Sequence, residues 1–191
     1  MMVRCHQKNK LQVRSAEGAE GVSGKKYIEG YFVVFNTETE LWSGYFEQIA
    51  PEAFEVEGMD IRCLYNHNSD IILGRQGNAT VKLRKDDKGI WASVEINPDD
   101  PQAMAAYARV QRGDIYGCSF GFDTDPESEK IEYIDNECHV TITKGTIYEI
   151  SVCVFPAYEQ TEIEARSSEM LKRSRKSQVM GLREKLGKIK I

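Results

Sequence analysis

The sequence predicts a mainly β fold with flanking helices, of the α+β class, and three observations predict it. Short runs rich in aromatic and β-branched residues recur through the middle of the chain, and glycine-bearing turns separate two pairs of them. Only one segment in that region carries a full set of helix signals. At 191 residues the chain has room for one ordinary domain with a real core and an appended tail.

The elements follow in order. Residues 1–24 mix charge with Ser15, Gly18, Gly21, Ser23 and Gly24, show neither alternation nor a helical stripe, and read as a flexible N-terminal arm. A folded domain over 25–165 opens with the strand-like run Tyr27-Ile28-Glu29-Gly30-Tyr31-Phe32-Val33-Val34-Phe35, which closes on Asn36. Further strands are predicted from Ile61 to Tyr65, Ala79 to Lys85, Gly89 to Ile96, Ser119 to Thr124, Lys130 to Ile134, Cys138 to Thr143 and Thr146 to Phe155. Two hairpins are expected, at Asp86-Asp87-Lys88-Gly89 and at Lys144-Gly145, so antiparallel pairing is the expectation.

The one clear helix runs from Pro101 to Arg112. Asp100 can cap it, proline suits its first turn and Gly113 its stop. Ala103, Ala106, Tyr107 and Val110 share the face that would pack on a sheet. A shorter helix is expected after Pro51. Past Ala165 apolar residues scatter among basic ones, as in a marginal amphipathic helix or an unstructured tail.

Composition narrows the function. With 41% hydrophobic and 29% charged residues, and no apolar run near the roughly 18 needed to span a bilayer, a soluble protein with no membrane partner is expected. The first residues carry charge without an apolar segment behind them, so no secretory signal is read and an intracellular setting is expected. Cys5, Cys63, Cys118, Cys138 and Cys153 form an odd, scattered set without a CxxC pair, which argues for reduced thiols and against a structural zinc site. No metal or other cofactor is expected. The net charge of −5 hides a split, since residues 166–191 hold nine basic and two acidic residues, or +7, leaving −12 for the rest. A body of that sign is a poor partner for phosphate backbones, so no specific nucleic-acid partner is expected.

The chemistry is carried by a serine and a histidine. Gly117-Cys118-Ser119-Phe120-Gly121-Phe122 sets a serine between glycines, leaving space for backbone N–H groups to reach a substrate carbonyl. The string also reads as GxSxG, but an esterase elbow needs a strand before the serine and a helix after it, and here that order is reversed. A serine needs a base to take its proton, and histidine is the usual one near neutral pH. His6 lies in the arm. His67 lies where an apolar strand gives way to the polar loop Asn66-His67-Asn68-Ser69-Asp70. His139 lies within a predicted strand. Cys118 neighbours Ser119 but points to the other face of a strand.

Taken together, Asn66-His67 with Leu73-Gly74-Arg75, the segment around Ser119, and Glu149-Ile150-Ser151-Val152-Cys153-Val154-Phe155-Pro156-Ala157 resemble the prohead maturation proteases of tailed bacteriophages. Gly30-Tyr31-Phe32-Val33-Val34-Phe35-Asn36 and Glu47-Gln48-Ile49-Ala50-Pro51-Glu52-Ala53-Phe54 resemble the same family, and the likeness spans Tyr27 to Glu162 with the motifs in order.

The resemblance implies a compact antiparallel β-barrel similar to the herpesvirus capsid-assembly proteases. It implies a serine endopeptidase with Ser119 as nucleophile and His67 as base, working inside the immature capsid in the cytoplasm of the bacterial host. The implied partners are the major capsid protein and the scaffold protein as substrates, and further copies of the chain in a homo-oligomer, a dimer among the states allowed.

A third group should hold the histidine tautomer. Glu149 is a mid-strand carboxylate, costly unless paired, and falls in a family-like motif. His139 is the alternative, since the herpesvirus relatives use a second histidine. A hairpin at Lys144-Gly145 would pair Thr143 with Thr146 and put His139 and Glu149 on opposite faces, so that only one could serve. Oxyanion or substrate contacts are expected from Gly121, Gly74 and Arg75, although Arg75 reads equally as an ion-pair partner. The polar tail Lys172-Arg173-Ser174-Arg175-Lys176 is the kind of segment a protease cuts, so self-removal of 166–191 is expected. The competing reading is a catalytically inactive scaffold or assembly protein of the same fold.

Overall fold

Strands dominate the computed structural model, which describes residues 2–4, 11–15 and 24–154. All lie in one unit spanning Met1–Ala157; the tail 166–191 and its expected self-removal fall outside the described residues. In chain order the strands are β1 (Met2–Arg4), β2 (Gln12–Ser15), β3 (Lys26–Val34), β4 (Thr39–Trp42), β5 (Tyr45–Ile49), β6 (Arg62–Tyr65), β7 (Asn68–Arg75), β8 (Val81–Lys85) and β9 (Gly89–Ile96). After helix α1 (Pro101–Arg112) come β10 (Gly117–Asp123), β11 (Glu129–Ile134), β12 (Glu137–Ile142) and β13 (Thr146–Cys153).

They form three open sheets, ordered β1-β10-β13-β6-β7, β11-β12-β5-β4 and β2-β3-β9-β8. The mainly β class holds, but none of the sheets closes into a barrel, and pairing is not purely antiparallel. Strand β13 runs parallel to β6, and β12 parallel to β5. Parallel neighbours need a long crossover, and here the intervening chain builds the other sheets.

The helix forms where its signals place it. Asp100 accepts from the N–H groups of Gln102 and Ala103, Gly113 ends the helix at φ 85°, and Ala103, Ala106, Tyr107 and Val110 are buried. No helix among the described residues is long and apolar enough to cross a membrane.

Three expectations are corrected, and one is met in a different way. Two short strands, β1 and β2, lie within the stretch 1–24 read as a flexible arm. No helix follows Pro51; a single turn, closed by Ala53 N–H donating to the Ala50 carbonyl, delivers Phe54 to the core, where its ring meets Phe120 and Phe122 edge-on. The hairpin at Asp86–Gly89 forms between β8 and β9, but Gly89 is required by close approach and not by its own φ, since a Cβ there would lie 2.0 Å from the Val33 carbonyl oxygen. The hairpin at Lys144-Gly145 does not form. Strand β12 pairs with β11 and β5 while β13 pairs with β10 and β6, and Gly145 carries the chain between sheets with its N–H donated to the Ala53 carbonyl.

Strand β10 sets the character of the site. Cys118, Phe120 and Phe122 point into the apolar core and are fully buried, while Gly117, Ser119 and Gly121 occupy the opposite face. On its neighbour β13, Ile147, Ile150 and Val152 are equally buried. Ile147 and Glu149 are two residues apart and would ordinarily share a face. A bulge between them lets Phe122 pair with Ile147 and Gly121 with Glu149, so the isoleucine enters the core and the carboxylate faces the other way.

Candidate active site

His67 sits on the two-residue turn joining β6 to β7. Tyr65 pairs with Asn68 across it, and Asn66 and His67 adopt φ of 52° and 58°, the left-handed pair that a type I′ hairpin demands. Non-glycine residues hold that conformation only when their surroundings enforce it. Here the turn is stapled to β13: Asn66 N–H donates to the Val152 carbonyl at 2.9 Å, the Val154 N–H donates to Asn66 Oδ1 at 2.9 Å, and His67 N–H donates to Ser151 Oγ at 3.2 Å.

The staple lays the imidazole beside β13. His67 Nδ1 lies 2.8 Å from Glu149 Oε1. A carboxylate only accepts, so the contact places the ring proton on Nδ1 and leaves Nε2 of the neutral ring as an acceptor. The Glu149 side chain is 4% exposed and that of His67 21%, so the pair is mostly screened from water, with one edge of the ring open. The second carboxylate oxygen, Oε2, accepts from Ser151 Oγ at 2.6 Å. On the far side of the ring, Nε2 lies 3.6 Å from Cys153 Sγ.

Ser119 stands directly opposite Ser151 in the β10–β13 ladder, on the face that holds Glu149 and Cys153, and is fully buried. Directly opposed residues have Cβ atoms about 4.5–5.5 Å apart, which sets Ser119 beside Ser151 on that face. Serine, carboxylate and histidine thus come from three successive strands, β10, β13 and the end of β6.

The remaining candidates lie elsewhere. His139, on β12 in another sheet, has Nδ1 2.8 Å from Glu38 Oε1 and its ring stacked on Phe46 at 4.8 Å. The choice between His139 and Glu149 thus turns on their different sheets and not on the two faces of a hairpin. Arg75 binds Asp60 through both Nε and Nη2, its N–H donates to Thr80 Oγ1 at 2.8 Å, and it serves as an ion-pair partner. Together with the Gly77 N–H, it holds the Asp60 carboxyl down at about 2. Gly74 packs against Val81 and Val94, whose methyls would stand 3.0 Å and 3.1 Å from a Cβ. Gly121 faces the carboxylate of Glu149.

Cys118 points away from Ser119, its thiol donating to the Tyr31 carbonyl at 3.1 Å. Burial, reinforced by the charge of Glu149, pushes the Cys63 thiol well up, so it is not poised as a thiolate ligand or nucleophile. Among the described residues no group of three His, Cys, Asp or Glu could hold a metal ion.

Sequence reasoning passed over Ser151 and Cys153, the residues that touch the pair. The signal was present: counting in twos from Glu149 along a strand puts both on its face.

A mostly buried carboxylate–imidazole pair thus shares one sheet face with a buried serine. The chain belongs to the caudovirus prohead serine protease family, which it matches over residues 9–175. It is 27% identical over 167 residues to the prohead protease of Enterobacteria phage HK97, a match covering 81% of this chain and 64% of that relative. The chain therefore spans under two thirds of the relative's length. No solved structure matches it.

Proposed function

We propose that this chain is a serine endopeptidase of phage capsid maturation, with Ser119 as nucleophile, His67 as general base and Glu149 as the group that orients and charges-balances the imidazole. The observation that carries the reading is the 2.8 Å contact of Glu149 Oε1 with His67 Nδ1, on the sheet face that also holds Ser119.

Ser119 Oγ attacks the scissile carbonyl as His67 Nε2 takes its proton, and the imidazolium so formed is stabilised by Glu149. The proton then passes to the leaving amine as the C–N bond breaks, leaving an acyl-enzyme. Water, deprotonated by the same nitrogen, hydrolyses the ester and restores the serine. Backbone N–H groups around Ser119 and Gly121 are the oxyanion donors of this scheme.

The substrates are the scaffold protein or the scaffold-like part of the major capsid protein, and the enzyme itself, met inside the immature capsid in the host cytoplasm. Family membership and the naming of the HK97 relative as a prohead protease support this reading over an inactive assembly protein. Co-expression with the coat protein tests it: the parent chain is expected to cleave the coat protein and Ser119→Ala to leave it whole, and equal cleavage by both would overturn the assignment.

A further inference from the structure

We propose that Ser151 is a positioning residue that locks the acid and the base of the site to each other, a role that rests on the catalytic reading above. Ser151 is fully buried on β13, two residues beyond Glu149. Its hydroxyl donates its one proton to Glu149 Oε2 at 2.6 Å and accepts the backbone N–H of His67 at 3.2 Å. A hydroxyl offers one proton and two lone pairs, so a single oxygen serves both partners at once.

Two freedoms are removed together. The Glu149 carboxylate, tied at Oε2, is held about its last torsion, and Oε1 is kept aimed at the imidazole. The His67 backbone, at φ 58°, is pinned in a conformation it would otherwise leave readily. A buried serine that merely satisfied its own hydroxyl would need one partner of any kind. Ser151 instead binds the side chain of the acid and the main chain of the base, two groups separated by 82 positions in sequence.

The test is Ser151→Ala, which removes one oxygen and changes the packed volume little. In that variant kcat is expected to fall about 10- to 100-fold with KM unchanged, the cost of a misplaced catalytic pair. The low-field Nδ1 proton of His67, observed by proton NMR at neutral pH and assigned by its loss in His67→Ala, is expected to move upfield. A parent-like kcat, or an Nδ1 proton that does not move, overturns the proposal. Should the alanine protein fail to fold, Ser151→Cys keeps the volume, replaces a strong donor by a weak one and is read by the same two measurements. Ser119→Ala, assayed alongside, separates the two ideas. Cleavage by Ser119→Ala would overturn the catalytic reading, while the Nδ1 proton in the Ser151 variant judges the positioning role without reference to activity.

Discussion

Gly121 faces Glu149 across the β10–β13 pair with no room for a side chain: a Cβ on Gly121 would come within 2.5 Å of Glu149 Oε1 and 2.9 Å of the Tyr148 ring. The oxygen it would strike is the one that holds His67. The glycine after the serine therefore seats the carboxylate. Gly121→Ala is expected to fold, because Glu149 can swing aside, and to lose about 100-fold in cleavage rate as the pair is pushed apart. Circular dichroism with a cleavage assay checks both, and a fully active alanine protein would show that the carboxylate's seat is not needed.

The separation of His139 from Glu149 into different sheets gives a contrast of variants. Glu149→Gln keeps the shape but loses the charge, and is expected to lower kcat by on the order of 10³- to 10⁴-fold. His139→Ala disturbs contacts with Glu38, Glu137 and Phe46, all away from Glu149, and is expected to leave kcat at the parent value. Rates ranked the other way would move the third role to His139.

Cys153 lies 3.6 Å from the nitrogen assigned as the base, close enough for a thiol to compete with the serine hydroxyl. With Ser119 as nucleophile, Cys153→Ala retains cleavage and Ser119→Ala abolishes it. The opposite pair of results would make the enzyme a cysteine protease built on the same histidine.

The Asp60 carboxyl is held at about 2, below its ordinary 3.8, first by its hydrogen bonds from Arg75. A carboxyl depressed in the folded state stabilises the fold above its ordinary value, and that contribution is lost as pH falls through about 2. Urea unfolding should find Asp60→Asn less stable than the parent at pH 7, with the gap closing between about pH 4 and pH 2. Added salt should narrow the gap at pH 7, because the side chains of Asp60 and Arg75 are 38% and 49% exposed. A gap independent of pH would assign the loss to packing.

Much of this was legible in local pattern. The strand Gly89 to Ile96 and the helix Pro101 to Arg112 form where composition and capping place them, because burial of β-branched residues and the Asp100 cap act over a few neighbours. His67 was legible as a histidine where an apolar strand gives way to a polar loop and Glu149 as a carboxylate in a costly mid-strand place, and they meet. The failures are those of long-range pairing. Lys144-Gly145 looks like a hairpin turn, and nothing within ten residues announces that β12 and β13 leave for different sheets. The strand Asn68–Arg75 was missed because its polar first half sits on an exposed edge and lacks the apolar alternation that marks a half-buried strand. The bulge at Tyr148 was invisible for the same reason, since it exists only relative to the partner strand.

Strand β13 has one further consequence. It is the last described strand of the chain, it lies between β10 and β6, and it carries the carboxylate together with the oxygen that pins the His67 turn. A ribosome that has delivered everything up to residue 145 has made the histidine and the serine but neither the acid nor the wedge that joins their strands. Contacts that close loops of some eighty residues also form late, because their entropic cost falls due before they return anything. Ser119, His67 and Glu149 therefore share one sheet face only once β13 has docked between β10 and β6.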